Sequence, residues 1–526
     1  MDDQPIAVME KNDSTAPEAS QSVMQKSIRG STLLLVGRLV MLGLNFGVQV
    51  LTVRYLTKND FGAFSYALSF VAMAAIASLF GLDKAIARFA PIYHEQKDYP
   101  RMFGTILLAL FSIIVLGVVV IGGVFLLQGA IIKYLGGDPL SVSLLLILIA
   151  MAPIQALETY FQDMLAVFAR PRAIFFRRYI IGPALKLAAV LVVVILKGSV
   201  EMLAAGYLIG SLLGLVLYAA IMLKVLRSMG LLEHFHLNTL IFPMREIFGF
   251  SIPLLTTDLM HILKSSAVVL MLEYFRTNVD VAEFRAVVPV AGLNLVVMQS
   301  FKLLYTPMSA RLFARNDRAG INALYWQTAT WIALFSFPVF VVTFSLAEPL
   351  TVMLFGERYA NSALILTLLS LGNYFNAALG FNAYTLRVYG RVKYIVAIDV
   401  ISAVANLGAN LLLIPRYGAL GAAVGTTLTM ILLNLLNHAG LMLGTGINLF
   451  QRRYIMVYAS IAAAAIGLLA FVEIFHPHIV VGGLLAGLAG LALLRINRTA
   501  LDIEHMFPEI LRLPLVRPLL GVTRAS

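Results

Sequence analysis

Polar and ionisable side chains recur at helical spacing inside long apolar stretches of this 526-residue chain. In the first stretch, Arg38, Asn45 and Gln49 follow one another at steps of seven and four residues, which places them on one helix face. A polar group at membrane depth needs a partner or a water-filled cavity. Stripes of this kind occur in six stretches, and we predict that a shared cavity binds substrate through Arg38, Asn45, Gln49, Glu158, Lys186, Lys264, Asn294, Lys302, Asn373 and Asn376. For any single amide, hydrogen bonding between helices is the alternative.

Five residues within the apolar stretches are cations, namely Arg38, Lys186, Lys264, Arg285 and Lys302. Cations in a cavity attract phosphate or carboxylate groups. The alternative is that they pair with four acids of the same stretches, Glu158, Asp163, Asp258 and Asp399. With five cations against four acids, the sequence leaves both interpretations open.

The elements that position these residues are membrane-spanning helices. Hydrophobic residues make up 60% of the chain and charged residues 13%, about half the usual share, which excludes a soluble globular enzyme. The mean hydropathy is +0.89. Apolar runs of about twenty residues are typical of helices that cross a membrane, whereas a membrane barrel has short alternating segments. The fold class is therefore predicted to be an all-α polytopic membrane protein.

Fourteen apolar runs are long enough to cross a membrane: 31–53, 61–82, 103–127, 140–168, 174–196, 201–223, 248–272, 285–308, 323–346, 361–386, 394–414, 419–443, 454–474 and 478–494. They define five predicted segments: a disordered cytoplasmic tail (1–27), an N-lobe of six helices (28–230), a C-lobe of six helices (231–447), helices 13 and 14 (448–498) and a cytoplasmic C-terminal tail (499–526).

The Lys and Arg residues give the orientation. With the N-terminus inside, 27 of them lie on the inner side and 7 on the outer side, which supports fourteen spans with both termini in the cytoplasm. The net charge of +12 is thus explained by topology, and no nucleic-acid partner is predicted. We expect the cytoplasmic (inner) membrane to be its location.

An internal repeat relates the two lobes. A shift of 219 residues places Tyr55 on Tyr274, Asn59 on Asn278, Arg172 on Arg391 and Gly206 on Gly425. Because six spans separate the copies, both halves enter the membrane from the same side. The repeat predicts two pseudo-symmetric bundles around an axis along the membrane normal, with a central cavity between them.

Motifs of enzymes are absent from the sequence. It contains no nucleophile elbow, P-loop or dinucleotide fingerprint, and no Cys. The turn His476-Pro477-His478 lacks the further ligands that a metal site needs. We therefore predict a protein that is not an enzyme and has no cofactor, whose driving force is a gradient of substrate or of ions such as Na⁺ or H⁺.

Five short motifs carry a resemblance to a known family. They are Arg54-Tyr55-Leu56-Thr57 with Asp60-Phe61-Gly62-Ala63-Phe64-Ser65, Gly81-Leu82-Asp83-Lys84-Ala85-Ile86-Ala87-Arg88-Phe89, Phe250-Ser251-Ile252-Pro253-Leu254, Leu354-Phe355-Gly356-Glu357-Arg358-Tyr359-Ala360 and Leu413-Ile414-Pro415-Arg416-Tyr417-Gly418-Ala419-Leu420-Gly421-Ala422-Ala423. In this order, along nearly the whole chain, they resemble the polysaccharide-transport branch of the multidrug/oligosaccharidyl-lipid/polysaccharide flippase superfamily.

The resemblance implies alternating access that turns a polyprenyl-diphosphate-linked oligosaccharide from the inner to the outer leaflet, with membrane lipids and polysaccharide polymerase machinery as further partners. Lipid II flippases of this superfamily hold sodium with an Asp of the seventh span, an Asn and an Asp of the eleventh and a Thr of the twelfth. Similar positions here are Asp258, Asn406, Asn410 and Thr426. Asn410 replaces an acid, and the arginine cluster of lipid II flippases is not matched, so lipid II is not the predicted substrate.

Charged residues at the inner ends of spans suggest a gate. We predict that Asp83, Arg88, Arg177 and Arg178 form ion pairs there, and a purely topological role of these charges is the alternative. Two other functions compete with the flippase. A drug or cation antiporter of the same superfamily usually has twelve spans, and a membrane glycan polymerase or ligase relies on large outer loops that this sequence lacks.

Overall fold

The protein is an assembly of helices in the computed structural model, which describes residues 16–134, 138–168, 175–445, 447 and 452–501. Side chains of 16–35, 133, 134, 256, 257, 261, 263–265, 303, 444, 452, 453 and 500 lie outside that description. The described part contains no strand. The predicted all-α membrane fold is therefore confirmed.

The N-lobe comprises α1 (Ala16–Tyr55), α2 (Lys58–Leu79), α3 (Leu82–Glu95), α4 (Tyr99–Leu126), α5 (Gln128–Tyr134), α6 (Pro139–Leu148), α7 (Met151–Val167), α8 (Gly182–Ile195) and α9 (Val200–Ser228). A π-helical turn, Phe175–Ile181, precedes α8. Helix α1 begins inside the segment 1–27 that the sequence predicts as a disordered tail, where Ala, Glu, Gln and Met favour a helix. Residues 1–15 of that tail lie outside the described residues.

The C-lobe comprises α10 (Met244–Phe275), α11 (Asn278–Ala291), α12 (Val296–Ala314), α13 (Arg318–Phe344), α14 (Ala347–Phe355), α15 (Ser362–Ala378), α16 (Asn382–Val388) and α17 (Val392–Thr445). Then follow α18 (Arg452–Phe475), α19 (Ile479–Ile496) and α20 (Arg498–Leu501). Helices α18 and α19 pack against α13, outside the repeat. The predicted C-terminal tail lies outside the described residues from 502 onwards.

The count of fourteen spans is not confirmed. In the described part, 11 helices are long and apolar enough to cross a membrane, or 12 if α6 and α7, bent by 41°, form one span. One physical reason is α17, whose 54 residues would extend about 80 Å, far beyond an apolar core of about 30 Å. Gly418 interrupts it at φ 56° and ψ −132°, between the two predicted spans 394–414 and 419–443.

Helix starts repeat with the predicted spacing. Asp98 caps α4 by accepting a hydrogen bond from the Arg101 backbone N–H, and Asp317 caps α13 by accepting one from that of Gly320. Both pairs are 219 residues apart. Thr57 caps α2 and Thr277 caps α11 at a spacing of 220 residues, one more than the repeat. The local sequence thus sets equivalent helix boundaries in both lobes.

The two lobes meet along α2 and α11, which are repeat equivalents. Asn278 Nδ2 donates to Asn59 Oδ1 at 3.3 Å, so residues matched by the repeat touch each other near the pseudo-twofold axis. A buried apolar core continues across this contact and includes Phe64 and Ala67 of α2 and Val281 and Ala282 of α11. Following the predicted orientation, we call the end at Tyr55 the outer end and the end at Gly81 the inner end.

Candidate functional site

Polar side chains of α1 reach the C-lobe between the two ends of the bundle. Arg38 Nη2 donates to Gln299 Oε1 of α12 at 3.3 Å. Gln49 Nε2 donates to the Arg285 carbonyl oxygen of α11 at 3.2 Å. Asn45, between them on the same predicted stripe, is exposed. The structure therefore brings the α1 stripe against α11 and α12.

Four of the five predicted cations have described side chains, and none has a carboxylate within 4.0 Å in the described part of the chain; they are Arg38, Lys186, Arg285 and Lys302. The fifth, Lys264, lies outside the described side chains. Lys302 Nζ lies 4.8 Å from the centre of the Tyr384 ring, and Lys186 Nζ lies 6.0 Å from that of Tyr207. Aromatic faces attract cations without neutralising them, so positive charge remains for an anion.

Three of the four predicted acids lie beside other cations, and one of them, Glu158, also interacts electrostatically with Lys186. Glu158 forms an ion pair with Arg177, and Asp258 forms one with Lys84. Asp163 has Arg178 and Lys84 as its nearest described cations. For the described residues, the structure thus favours unpaired cations over the alternative of mutual pairing.

Arg177 lies inside the N-lobe. It is 3% exposed, donates from Nε to the Gly214 carbonyl oxygen at 2.9 Å, and its guanidinium carbon lies 4.5 Å from the Tyr218 ring centre. A Cβ at Gly214 would overlap the guanidinium, which explains that glycine. In this structure Glu158 and Gly214 hold Arg177 within one lobe, and its part in a gate stays a prediction.

The inner end has different contacts between the lobes. Lys84 of α3 pairs with Asp258 of α10, and the guanidinium carbon of Arg88 lies 4.6 Å from the Phe250 ring centre. Tyr93 donates from its hydroxyl to Glu246 Oε2 at 2.8 Å. Of the predicted gate residues, Arg88 therefore contacts the opposite lobe. Asp83 lies beside Lys84 and Asp258, whereas the Arg178 guanidinium rests on Tyr179 of its own lobe, 5.7 Å from the ring centre.

The outer end carries a second set of contacts between the lobes, whose residues are not among the predicted site residues. Arg54 Nε donates to the Leu354 carbonyl oxygen at 2.7 Å, and Arg358 Nη2 donates to the Val53 carbonyl oxygen at 2.5 Å. Each arginine thus satisfies the free carbonyls at the end of a helix in the other lobe. Lys58 Nζ lies 2.6 Å from Glu283 Oε1. Arg54 and Arg358 both stand in motifs of the family resemblance, which was the available signal.

A polar cavity of about 200 Å³ lies within the C-lobe. The predicted Asn376 lines it, together with residues that the sequence analysis missed as binding residues: Gln299, Asn382, Tyr384, Arg387, Asn434 and Asn437. Because Gln299 also accepts from Arg38, the cavity adjoins the contact between the lobes. Asn434 and Asn437, three residues apart on α17, were the signal that could have found it.

Two other predicted amides form hydrogen bonds within the helix bundle. Asn294 Nδ2 donates to the Ala291 carbonyl oxygen at 3.1 Å and to Thr343 Oγ1 at 3.0 Å. Asn373 Nδ2 donates to the Leu369 carbonyl oxygen at 2.9 Å. Both are buried. These contacts match the alternative of hydrogen bonding within the helix bundle.

The predicted cation-binding residues separate into two groups. Asn406 Oδ1, Asn410 Oδ1 and Thr426 Oγ1 are buried atoms without a hydrogen-bond partner among the described residues. Asn410 Nδ2 donates to the Asn406 carbonyl oxygen at 2.8 Å, which leaves its oxygen for another ligand. Oxygen atoms of this kind are ligands for hard cations. Asp258 is instead engaged by Lys84.

These features define a class of protein. Two similar helical lobes enclose unpaired cations within membrane-crossing helices, and separate sets of contacts join the lobes at each end. Such an arrangement is that of a two-lobe membrane transporter.

The family model of polysaccharide biosynthesis proteins matches residues 27–313, which is more than half of the chain. The chain therefore belongs to the polysaccharide biosynthesis protein family. A capsular polysaccharide biosynthesis protein, CapF, of Staphylococcus aureus is 25% identical over 195 residues, which cover 37% of this chain and 49% of CapF. An uncharacterized membrane protein of Methanocaldococcus jannaschii is 23% identical over 425 residues, covering 77% of this chain and 82% of that protein.

Solved structures show the same fold. The lipid II flippase MurJ in an inward closed conformation matches with a TM-score of 0.68 and 16% identity, covering 90% of this chain and all of MurJ (100%). An inward-facing multidrug resistance transporter of the MATE family, within the MOP superfamily, matches with a TM-score of 0.62 and 15% identity, covering 77% of this chain and 96% of the transporter. These likenesses show the fold.

Proposed function

We propose that the protein is a flippase that moves a lipid-diphosphate-linked oligosaccharide across the cytoplasmic membrane by alternating access, for the synthesis of a cell-surface polysaccharide. The observation that carries the proposal is the set of unpaired cations Arg38, Lys186, Arg285 and Lys302. Unneutralised charge at membrane depth is costly and marks a substrate pathway. A diphosphate supplies the missing negative charge.

The sugar part of such a substrate needs hydrogen-bonding groups and aromatic faces. The C-lobe cavity offers amide groups of Asn376 and Asn437 beside Tyr384 and the acid Asp399, while Asn382 Nδ2 donates to Asn434 Oδ1 at 3.0 Å. Its volume of about 200 Å³ is smaller than the pockets of about 300–1,000 Å³ that enclose whole small ligands. We therefore infer that the cavity binds only a part of the headgroup. The rest of the headgroup lies between the lobes, and the lipid tail stays in the bilayer.

Alternating access requires that the contacts at one end break while those at the other hold. At the inner end, Lys84 and Asp258 side chains are 35% and 30% exposed, so their separation costs little. Membership of the polysaccharide biosynthesis family and the MurJ fold support this mechanism for a lipid-linked glycan.

Ion coupling is part of the proposal. Asn406, Asn410 and Thr426 provide three buried oxygens that have no hydrogen-bond donor among the described residues, which suits Na⁺. Asp258 would complete the site only after it leaves Lys84. Binding of Na⁺ in the C-lobe would then be linked to opening of the inner contact.

A drug or cation antiporter is the competing function, since MATE transporters share the fold. The unpaired cations count against it, because they repel a cationic drug. Sodium- or proton-driven efflux of a cationic dye from vesicles that contain the protein would favour that function instead.

The test is the amount of lipid-linked glycan exposed on the outer leaflet of cells that depend on this protein for export. Arg285→Ala with Lys302→Ala is expected to abolish exposure while the protein stays in the membrane. Arg227→Ala, which removes an exposed cation at the end of α9, is the matched control and should export normally. Normal export by the double variant would refute the cationic site.

A further inference from the structure

A buried carboxyl group stands at the outer contact between the lobes, outside the substrate and sodium sites. Glu273, near the end of α10, is 4% exposed. Its Oε1 lies 2.7 Å from Ser141 Oγ and 3.4 Å from the Asp138 backbone N, at the start of α6. Its Oε2 is buried without a hydrogen-bond partner among the described residues.

The cluster of Glu273, Ser141 and Asn278 has one hydrogen too few for the hydrogen bonds that its distances indicate. Ser141 Oγ also lies 2.9 Å from Asn278 Oδ1, yet a hydroxyl has a single hydrogen to donate. The Asn278 amide cannot be reversed, because its Nδ2 lies 3.3 Å from Asp138 Oδ2, a carboxylate oxygen that only accepts. Ser141 is therefore placed between two acceptors if Glu273 is ionised.

No cation lies beside Glu273 among the side chains that the structure describes, which do not include Lys133. In the described part of the chain, its titratable neighbours are Tyr66 of α2 and Asp138 of α6, while α11 contributes the neutral Asn278. Arg276 donates instead to the Ile414 carbonyl oxygen of α17 at 3.2 Å. The Tyr66 hydroxyl is fully buried, has no hydrogen-bond partner in this part of the structure, and is close enough to Glu273 to interact with it electrostatically. A buried carboxylate in this setting is strongly disfavoured.

We propose that Glu273 is a proton-binding site that holds the outer end closed. The bound proton completes a chain in which Glu273 Oε1–H donates to Ser141 Oγ, and Ser141 Oγ–H donates to Asn278 Oδ1. Asn278 Nδ2 then donates to Asn59 Oδ1 of the opposite lobe. Transfer of the proton to water leaves a buried carboxylate beside Asp138, which gains hydration when the outer end opens. The proton site itself does not depend on the proposed flippase function. Only the link between proton release and substrate release rests on that function.

Infrared difference spectra between about pH 5 and about pH 9 test the proton directly, on the full-length protein in lipid. The wild type should show the C=O stretch of a protonated carboxylic acid, and Glu273→Gln should lose that band. Glu201→Gln, which alters an acid on α9 away from the lobe contact, should keep it. A wild-type spectrum without the band, or a band that persists in Glu273→Gln, overturns the proposal.

The opening is measured separately, without substrate, by the distance between spin labels on Lys197→Cys and Arg416→Cys. Both positions are exposed at the outer end, and the chain has no other Cys. We expect the distance to lengthen as pH rises, and Glu273→Gln, whose amide keeps a hydrogen for Ser141, to stay short at every pH. A pH-dependent lengthening that survives in Glu273→Gln refutes the site. Since no glycan is present, failure of the flippase function would leave this result unchanged.

Discussion

Gly62 sets the closest approach of the two lobes at the outer end. A Cβ at this position would lie 1.8 Å from the Asn278 carbonyl oxygen. An ordinary carbon–oxygen contact is about 3.3 Å, so Gly62→Ala requires a shift of about 1.5 Å. The obstacle is backbone and no rotamer change can remove it. We therefore expect Gly62→Ala to force α2 and α11 apart.

The cost of such overpacking is about 1–3 kcal/mol, and it falls on the state in which the outer end is closed. A bias of that size changes the ratio of closed to open protein by about 5- to 150-fold. Spin labels at positions 197 and 416 should report a longer distance in Gly62→Ala. Glycan export should fall, because the outer end no longer closes behind the substrate.

Two other glycines separate this effect from general destabilisation. A Cβ at Gly117 of α4 would lie 2.4 Å from Pro153 Cβ of α7, a contact within one lobe. Gly117→Ala should lower the melting temperature without changing the distance between labels. Gly43→Ala meets no atom within 4 Å and should leave the distance unchanged without lowering the melting temperature. If folded Gly62→Ala keeps the wild-type distance and normal export, the steric reasoning is wrong.

Three further predictions concern the N-lobe, the C-lobe and the orientation of the chain in the membrane. Arg177→Ala leaves Glu158 without its partner and should destabilise the protein by about 3 kcal/mol, seen as a lower melting temperature; an unchanged one would contradict the buried pair. Asn410→Ala should abolish the stimulation of export by Na⁺ but keep basal export, whereas full stimulation would exclude this sodium site. In the chain without Cys, a membrane-impermeant thiol reagent should label Lys197→Cys from outside intact cells and Arg227→Cys only after lysis; the reverse pattern would invert the predicted orientation.

The sequence predicted features that repeat or that depend on local composition. Apolar runs placed the helices, and the spacing of 219 residues paired Asn59 with Asn278, which hydrogen-bond in the structure. The span count was less certain, because a residue run does not show whether a helix continues through a turn. Gly418 shows this, since it separates two predicted spans within the one element α17.

Partners between distant helices could not be predicted in the same way. Arg177 stands among inner-loop arginines in the sequence, yet its long side chain turns into the N-lobe to reach Glu158. The sequence indicates only a topological role for Lys84, yet in the structure it pairs with Asp258, the acid predicted to hold sodium. The missing hydrogen at Ser141 depends on three elements that meet only in the folded protein. Spacing along one helix carries no information about such contacts.

The polar contacts that join the two lobes differ between the outer end and the inner end. At the outer end, α2 packs on the Asn278 backbone, and arginines hold helix ends across the lobes. At the inner end, the Lys84–Asp258 pair, about one third exposed, and the Arg88–Phe250 contact join the lobes beside an apolar cluster in which Ile247 of α10 is buried with Leu82 and Ala85 of α3. A surface ion pair contributes about 0–1 kcal/mol. Opening of the inner end therefore separates buried apolar residues as well as this ion pair, and the ion pair contributes only a small part of the inner contact.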